Sequence, residues 1–171
     1  MALGYAVSER GACHLRGAPL TEVLGGADPL SIVGKAKLFR EHQSESALWN
    51  SAVLCCFPSF GMSLKELWQL VNAATGFDYA TVREFESAGE RINTLARLFN
   101  VREGYARQQD TLPARNLSQP LQGSWPAKGH VVELDPMLDE YYALMGWVHN
   151  GVPTPQQLKE LQLDQLLKAV Q

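Results

Sequence analysis

The chain has 171 residues, enough for one domain or two small, closely packed ones, and it can bury about 70% of its unfolded surface without disulfides. Its 46% hydrophobic and 19% charged residues exclude a disordered chain, and a net charge of −3 argues against nucleic acid or an anionic membrane as the main partner. The sequence has no run of eighteen apolar residues, so we expect no membrane-spanning helix, and its start is too short and polar for a secretory signal.

The first part of the chain is predicted to be irregular and then to form one long helix. Residues 1–28 are rich in glycine and show no period, apart from a short helical turn over Pro19–Leu24. Pro29 suits a first helical position and Pro58 ends a helix, which predicts a helix over Pro29–Phe57. Because the run Ser51–Phe57 (SAVLCCF) is apolar, we expect that end of the helix to be buried.

Two amphipathic helices follow, and each begins with a capping box. Ser63 with Glu66 predicts a helix over Ser63–Thr75, which Gly76 ends, and Thr81 with Glu84 predicts a helix over Thr81–Arg102. Their apolar positions recur every three or four residues and are expected to face the core. These positions are Leu64, Leu67, Trp68, Val71 and Ala74 in the first helix, and Val82, Phe85, Ala88, Ile92, Leu95 and Phe99 in the second.

The remaining third of the chain combines a long loop with shorter helices. Residues 105–133 have three prolines and no period, which predicts a long irregular crossing with a short extended piece at 130–134. Asp135 is expected to cap a helix that reaches Gly146, and Thr154 a second one; residues 163–170 are predicted to close the chain helically. Together these elements predict an all-α fold, a multihelical orthogonal assembly and not a simple bundle.

Two pairs of neighbouring residues could carry chemistry. Cys13-His14 lies between Arg10 and Arg16 and could provide a metal ligand or a reactive thiol, or it could be a glycine-rich turn without chemistry. A thiolate in Cys55-Cys56 suits an iron–sulfur cluster whose other ligands lie elsewhere, although buried cysteines are commonly inert. An odd number of cysteines is a poor disulfide framework and favours a reducing cytoplasm. The G-x-G-x-x-G, P-loop, H-E-x-x-H and G-x-S-x-G signatures do not occur.

The sequence also resembles one enzyme family along nearly its whole length. The blocks that match are Gly4–Ala6 with Arg10–Gly17, Asn50–Phe57, Glu90–Ile92 with Leu98–Gly104 and Asp110–Arg115, and the tail Met137–Leu163. The chain therefore resembles the C-terminal region of the aldehyde:ferredoxin oxidoreductases, which are tungsten (sometimes molybdenum) bis-pterin enzymes. By this resemblance the whole chain, 1–171, is one helical unit with a cofactor-facing part at 1–58 and a helical body at 59–171.

The resemblance implies roles for four residues. Cys55 falls on the position that supplies one ligand to a 4Fe-4S cluster beside the pterin, and Asn50 falls where the family usually has an aspartate that bonds pterin nitrogens. Leu54 would lie against the pterin, and His14 resembles a histidine that orients or protonates the substrate oxygen near the metal. The implied reaction is the two-electron oxidation of an aldehyde to a carboxylic acid, with electrons leaving through the cluster to ferredoxin.

The sequence also departs from the family pattern. Asn50 replaces the acid and Val53 replaces a glycine of the family's D-x-x-G-L-C motif, which raises doubts about cofactor binding. The family's N-terminal domain and its C-x2-C-x3-C motif, which supplies the other three cluster ligands, are missing from this sequence. We therefore expect a C-terminal portion or subunit that is inactive alone, binds no cofactor by itself, and has as partners the N-terminal domains, ferredoxin and an aldehyde.

Two other interpretations stay open at this point. In the first, the chain is a cofactor-free helical scaffold or binding module that kept the fold, in which case Cys55 should be deeply buried. In the second, it is an independent thiol enzyme that uses Cys13 or Cys56, which requires a base within hydrogen-bonding distance. The oxidoreductase interpretation predicts instead that Cys55, Leu54 and residues 10–17 lie on one exposed, incomplete face.

Overall fold

The structure is a computed structural model that describes residues 1–17, 20–124 and 126–169, and these residues form an all-α fold without a β-strand. None of the helices described is long and apolar enough to cross a membrane. The α-helices are α1 (Ala2–Val7), α2 (Leu20–Val23), α3 (Lys35–Ser51), α4 (Leu64–Thr75), α5 (Val82–Arg102), α6 (Ala114–Ser118), α7 (Leu134–Met145) and α8 (Pro155–Glu160). The fold class predicted from the sequence is confirmed.

Helix α3 is the centre of the fold. It packs along α5 in the opposite direction, since Arg40 contacts Glu90 near one end and Leu48 packs with Phe85 near the other. Its opposite side packs against α7 and α1, where Phe39 and Tyr141 lie with ring centroids 5.5 Å apart. Because α3 contacts both neighbouring cores, its position determines where the residues at its ends are placed.

Three apolar clusters hold the helices together. The first joins α1, α3 and α7, the second joins α3, α4 and α5, and the third joins α5 to α8 and the residues after it. Their most buried members are Ala36, Leu138, Tyr141 and Tyr142 in the first cluster, Leu67 and Trp49 in the second, and Leu158 in the third. Burial on this scale contributes about 1.5–3 kcal/mol for each large side chain.

Three of the four predicted N-caps, Ser63, Thr81 and Thr154, are confirmed. Ser63 accepts a hydrogen bond from the Glu66 N–H while the Glu66 carboxylate accepts from the Ser63 N–H, so the first capping box is complete. Thr81 caps α5 through the Glu84 N–H, but the Glu84 carboxylate accepts from the N–H of Ala80 instead. The last predicted cap, Thr154 on the Gln157 N–H, is also present.

The long helix predicted over Pro29–Phe57 is much shorter, at Lys35–Ser51. Gly34 adopts a left-handed conformation (φ 70°) immediately before the helix, and Val53 adopts one (φ 57°) just after it. Left-handed residues cannot continue a right-handed helix. The apolar run after Ser51 is therefore a loop with a 3₁₀ turn at Phe57–Phe60, and Pro58 lies within that turn.

The predicted apolar face of α5 is only half buried. Phe85 and Ala88 lie in the core, but Ile92, Leu95 and Phe99 are between 37% and 56% exposed. In this half of the helix Thr94, Arg97 and Leu98 are the buried positions. The rotation of α5 is fixed there by the partners of Arg97, described below, and not by the apolar period.

The predicted long crossing is present, with two short interruptions. Residues 105–133 contain a 3₁₀ turn at Arg107–Gln109 and the short helix α6, and the segment at 130–134 forms no strand. Helix α7 begins at Leu134 with no side-chain cap, so the expected cap at Asp135 is wrong, while Gly146 ends the helix in the left-handed conformation as predicted. Residues Asp164–Ala169 form a 3₁₀ turn, and Pro19 and Val170 lie outside the described residues.

The close approach of α3 and α5 requires a glycine at position 89, and this generates a prediction. A Cβ at Gly89 would clash with the carbonyl oxygen of Ser44, a backbone atom that cannot move independently of α3. We expect Gly89→Ala to lower the free energy of unfolding by about 2–3 kcal/mol, measured by urea denaturation. Gly61→Ala is the matched control, because nothing lies within 4 Å of a Cβ there, and it should change stability by less than about 1 kcal/mol. Equal effects of the two substitutions would show that the helices do not pack this closely.

Candidate functional site

The segment that carries His14 is a short turn built around Cys13. The Cys13 sulfur accepts hydrogen bonds from the Arg10 guanidinium, at 2.9 Å from Nη2 and 3.3 Å from Nε. Partial burial opposes ionisation, but the Arg10 hydrogen bonds and charge, together with the backbone N–H groups of Leu15 and Arg16, outweigh it, and the pKa of the Cys13 thiol lies below its ordinary value. Cys13 is therefore the thiol whose surroundings favour the thiolate.

His14 lies on the exposed side of this turn, in a 3₁₀ segment over His14–Arg16. Leu15 beside it is 50% exposed. The turn is anchored by Gly17 (φ 132°), where a Cβ would lie 2.8 Å from the Phe39 ring and 3.1 Å from Gln43. Residue 17 must be a glycine for the turn to reach α3 so closely, so the glycine positions His14 against the central helix.

The second segment is the loop that leaves α3. Asn50 is the second-last residue of the helix, and its Nδ2 donates to the carbonyl oxygen of Ser46 at 2.7 Å. Val53, Leu54, Cys55 and Cys56 follow, and all four are exposed. Because one N–H of the Asn50 amide is held by its own helix, the side chain keeps its oxygen Oδ1 as an acceptor and one N–H as a donor.

Val53 explains why the family pattern has a glycine at this position. Its φ of 57° lies in the left-handed region, which a β-branched residue adopts only at a cost of about 1–2 kcal/mol. The Leu54 N–H donates to the Trp49 carbonyl oxygen at 3.2 Å, so the turn that closes α3 is formed despite this cost. The valine strains the backbone of the loop, but its side chain is 90% exposed and therefore does not prevent the turn from forming.

The expectation that this end of α3 is buried is wrong. Leu54 is 42% exposed, Phe57 70% and Phe60 60%, and the two phenylalanine rings stack on each other with centroids 6.0 Å apart. The loop lies outside the cores because α3 ends before it. Together with Val53 and Cys55 these residues form an exposed apolar surface, which we call the 53–60 surface; contiguous surfaces of this kind commonly mark binding sites.

Both segments adjoin the central helix α3. Gly17 packs against Gln43, and Asn50 is seven residues further along, two turns of the helix and about 10 Å along its axis. Residues seven apart share a helix face. The His14 turn thus packs against α3, Asn50 lies near the end of the same helix, and Leu54 and Cys55 lie in the loop after it; all four of these residues are exposed.

The residues described here do not by themselves complete a metal site. No group of three or more histidine, cysteine, aspartate or glutamate side chains in the described ranges is placed to hold a metal. Cys55 offers a single thiolate from an exposed loop, so a cluster ligated here needs three more ligands from other polypeptide. For Cys13, the side-chain hydrogen bonds to sulfur come from Arg10, which cannot act as a base.

A buried ion pair that sequence reasoning missed joins α5 to the long crossing. Arg97 binds Asp110 through both oxygens at 2.8 Å and donates from Nε to the Gly151 carbonyl oxygen at 2.7 Å. Tyr142 donates its hydroxyl to Asp110, and the Arg97 guanidinium lies 5.2 Å from the centroid of the Trp147 ring. The signal in the sequence is Arg97 itself, a charged residue within the amphipathic pattern of α5. A charged residue in such a helix is not a specific signal of a buried ion pair.

Comparison with known proteins gives the family. The family model described as "Aldehyde ferredoxin oxidoreductase, domains 2 & 3" matches residues 1–163. The chain belongs to the aldehyde ferredoxin oxidoreductase family. This confirms the resemblance found in the sequence, and the described helices are those of a C-terminal portion of that family.

Relatives in two archaeal genera have the same description. The chain is 39% identical to a tungsten-containing aldehyde ferredoxin oxidoreductase of Pyrococcus abyssi, over 96% of this chain and 28% of the relative. The values are nearly the same for enzymes of that description in Pyrococcus furiosus and Thermococcus kodakarensis. The chain thus spans about 28% of the length of the curated relatives it matches, and the family enzymes contain domains beyond this part.

One solved structure shares the fold. The active site complex BamBC of benzoyl coenzyme A reductase, in complex with 1,5-dienoyl-CoA, superposes with a TM-score of 0.65 at 20% identity. The match covers 83% of this chain and 22% of the other chain. At this identity the likeness shows the fold alone.

The contact between Arg10 and Cys13 generates a prediction about thiol reactivity. We expect the rate of iodoacetamide alkylation at Cys13 to rise with pH at a lower midpoint than for an ordinary thiol, measured by mass spectrometry of the Cys13 peptide. Arg10→Ala removes the cation and should move the midpoint upward. Arg16→Ala is the control, because the Arg16 side chain pairs with Glu9 at 3.3 Å, and it should leave the midpoint in place. Identical midpoints in the parent chain and Arg10→Ala would contradict the assigned contact.

The left-handed conformation of Val53 generates a second prediction. Val53→Gly should raise the free energy of unfolding by about 0.5–1 kcal/mol, because glycine adopts this conformation without strain and little packing is lost. Ser51→Gly, two residues earlier at the right-handed end of α3, should lower it by about 0.5–1 kcal/mol. Thermal unfolding of the two variants, measured side by side, shows whether glycine stabilises position 53 while it destabilises position 51. A loss of stability in both would mean that Val53 is not strained.

Proposed function

We propose that this chain is the cofactor-facing C-terminal portion of a tungsten–pterin, iron–sulfur oxidoreductase that oxidises aldehydes to carboxylic acids. The carrying observation is that His14, Asn50, Leu54 and Cys55, four positions matched to the family pattern, are all exposed, on a turn that packs against α3 and at the end of α3 with the loop that leaves it. Exposure of Cys55 runs against the cofactor-free scaffold, for which a buried cysteine is expected. The complete protein is proposed to work in the cytoplasm with ferredoxin as its electron acceptor.

Each of these residues would have a separate task. Cys55 would donate its thiolate sulfur as one of four ligands to a 4Fe-4S cluster. Asn50 would accept a pterin N–H through Oδ1, while one N–H of its Nδ2, bonded to Ser46, holds the amide in place. An aspartate, as in the family pattern, could not donate to the Ser46 carbonyl oxygen. The asparagine therefore lacks the negative charge, but its side chain is held in one orientation by this hydrogen bond.

The substrate end of the site is proposed to lie at the His14 turn. When bound, the tungsten–pterin group would supply the two-electron oxidation in which an aldehyde and water become a carboxylic acid, releasing two protons and two electrons. His14 would hold a proton at a ring nitrogen and donate it to, or accept it from, the substrate oxygen. Leu54 and the 53–60 surface would exclude water from the cofactor once other domains cover them.

The same observations explain why the chain is proposed to be inactive alone. A cluster needs four ligands, and the 53–60 surface offers two cysteines, Cys55 and its neighbour Cys56. The 53–60 surface is apolar, as expected for a face that docks onto other polypeptide. Its proposed partner is the part of the family enzymes that this chain does not span, carried by the same polypeptide or by another.

The partner is tested first by its coding sequence and then by binding. We expect the reading frame upstream, or a neighbouring gene, to encode C-x2-C-x3-C, and the polypeptide carrying it to copurify with this chain. Phe57→Asp and Phe60→Asp, which place charges on the 53–60 surface, should abolish copurification, whereas Phe77→Asp, at an exposed phenylalanine that is not part of this surface, should not. A genome without such a sequence would overturn the oxidoreductase proposal.

The role of His14 is tested in the assembled enzyme. His14→Ala should lower kcat for aldehyde oxidation by about 10²–10⁴-fold, while the electron paramagnetic resonance signal of the reduced cluster stays unchanged. His149→Ala is the matched control, because that histidine is also exposed and lies in the turn after α7. A His14→Ala enzyme with parental kcat would remove His14 from the mechanism.

A further inference from the structure

The His14 turn, residues 8–17, has little burial to hold it in place. None of residues 8–16 is buried, and five of these nine residues are exposed. Segments with few buried contacts open at a low free energy unless other interactions hold them. The position of the His14 side chain therefore depends on the polar contacts that attach this turn to the helices.

One of these contacts comes from a distant part of the sequence. Asn100 lies in the last turn of α5, and its Nδ2 donates a hydrogen bond to the carbonyl oxygen of Glu9 at 2.9 Å, across 91 residues of sequence. Among the hydrogen bonds of the described residues, it is the one that joins residues 9–16 to an element outside the turn. Asn100 therefore attaches the His14 turn to α5.

The donor of this hydrogen bond lies on a fixed part of the structure. The carbonyl oxygen of Asn100 accepts from the N–H of Tyr105 at 2.9 Å, which closes the end of α5. Three residues before Asn100, Arg97 forms the buried ion pair with Asp110 that anchors the same helix. Because the donor is fixed and the acceptor lies in an exposed segment, the hydrogen bond constrains the turn and not the helix.

Glu9 connects this hydrogen bond with the residues around His14. Its carboxylate pairs with Nε of Arg16 at 3.3 Å, so the two residues meet at the base of the turn with His14 between them in the sequence. Both side chains are partly exposed, so this ion pair contributes little stability of its own. The turn is attached to α3 at Gly17 and to α5 through Asn100.

We propose that Asn100 is a positioning residue for His14. By holding the Glu9 carbonyl oxygen, it provides the second attachment of the turn and keeps the His14 ring in one position relative to the central helices. This inference rests on the proposed function, because it takes the catalytic role of His14 from there. It gives a task to the block Leu98–Gly104, which matches the family pattern but contains none of the site residues assigned above. A misplacement of about 1 Å can lower a rate about 10²-fold, so the loss of one attachment is sufficient to affect catalysis.

The first test is a double-mutant cycle in the assembled enzyme. We expect Asn100→Ala to lower kcat for aldehyde oxidation about tenfold, while the electron paramagnetic resonance signal of the reduced cluster stays unchanged. In the His14→Ala background the same substitution should lower kcat less than about twofold, because it acts through a side chain that is no longer present. A tenfold loss in both backgrounds would show a general structural role and overturn the proposal, as would parental kcat in Asn100→Ala.

Two further variants separate the hydrogen bond from other effects of substitution. Asn100→Asp keeps the size of the side chain but has no N–H to donate, so it should lower kcat at least as much as Asn100→Ala. Asn93→Ala is the matched control, because Asn93 lies two turns earlier on α5, is also half-buried, and its side-chain nitrogen has no hydrogen-bond partner among the described residues. It should change kcat less than about twofold. Parental kcat in Asn100→Asp would mean that the donor is not needed.

The second test needs no cofactor and uses the 171-residue chain. Backbone ¹⁵N relaxation should give order parameters close to the rigid value of about 0.85 for residues 9–16 in the parent chain and in Asn93→Ala, and values near about 0.6 in Asn100→Ala. The order parameters of α3 and α5 should be the same in all three chains. A turn that is already flexible in the parent chain, or one that stays rigid in Asn100→Ala, would contradict the attachment.

The two tests also separate this inference from the proposed function. A His14→Ala enzyme with parental kcat overturns the catalytic role of His14 and the positioning role with it, while the order parameters still report whether Asn100 attaches the turn. A cycle in which Asn100→Ala acts independently of His14 overturns the positioning role alone. That result leaves the tests of His14 and of the cluster intact.

Discussion

The buried ion pair of Arg97 and Asp110 is the interaction on which the rest of the structure depends. It joins α5 to the long crossing, and through Tyr142 and the Gly151 carbonyl it also joins α7 and the turn after it. A buried pair of this kind adds little stability compared with apolar packing, but loss of one partner costs about 3–5 kcal/mol because the other charge is left buried. Its effect is positional: it fixes the rotation of α5, and α5 in turn supports α3, whose two flanking segments carry the proposed site.

The sequence predicted those features that local chemistry determines. The capping residues Ser63, Thr81 and Thr154 each start a helix because a side-chain oxygen satisfies a free backbone N–H, and this needs no tertiary contact. The all-α class followed from the same period and cap signals. The end of α3 was not predictable in this way, since a valine at a left-handed φ gives no local signal, and neither was the exposed half of α5, whose orientation depends on an ion pair between residues thirteen apart.

The candidate site was also predictable only in part from the sequence. The residues Asn50, Leu54, Cys55 and His14 came from a family resemblance, and the family itself is confirmed, while their exposure on a turn and a loop next to α3 required the fold. The two departures from the family pattern acquire physical meanings. Val53 keeps the glycine's backbone conformation at an energetic cost, and Asn50 keeps an acceptor oxygen while its nitrogen bonds its own helix.

Neighbouring cysteines provide the most direct test of the central claim, that Cys55 completes a cluster whose other ligands come from the remaining family domains. Cys55 and Cys56 are both free and exposed, and they differ by one position in the same loop. The measurement is the iron and sulfide content, with the electron paramagnetic resonance spectrum after reduction, of the assembled protein carrying Cys55→Ser or Cys56→Ser. The account predicts that Cys55→Ser loses or strongly perturbs the 4Fe-4S signal and that Cys56→Ser retains it. A full, unperturbed cluster in Cys55→Ser would contradict it.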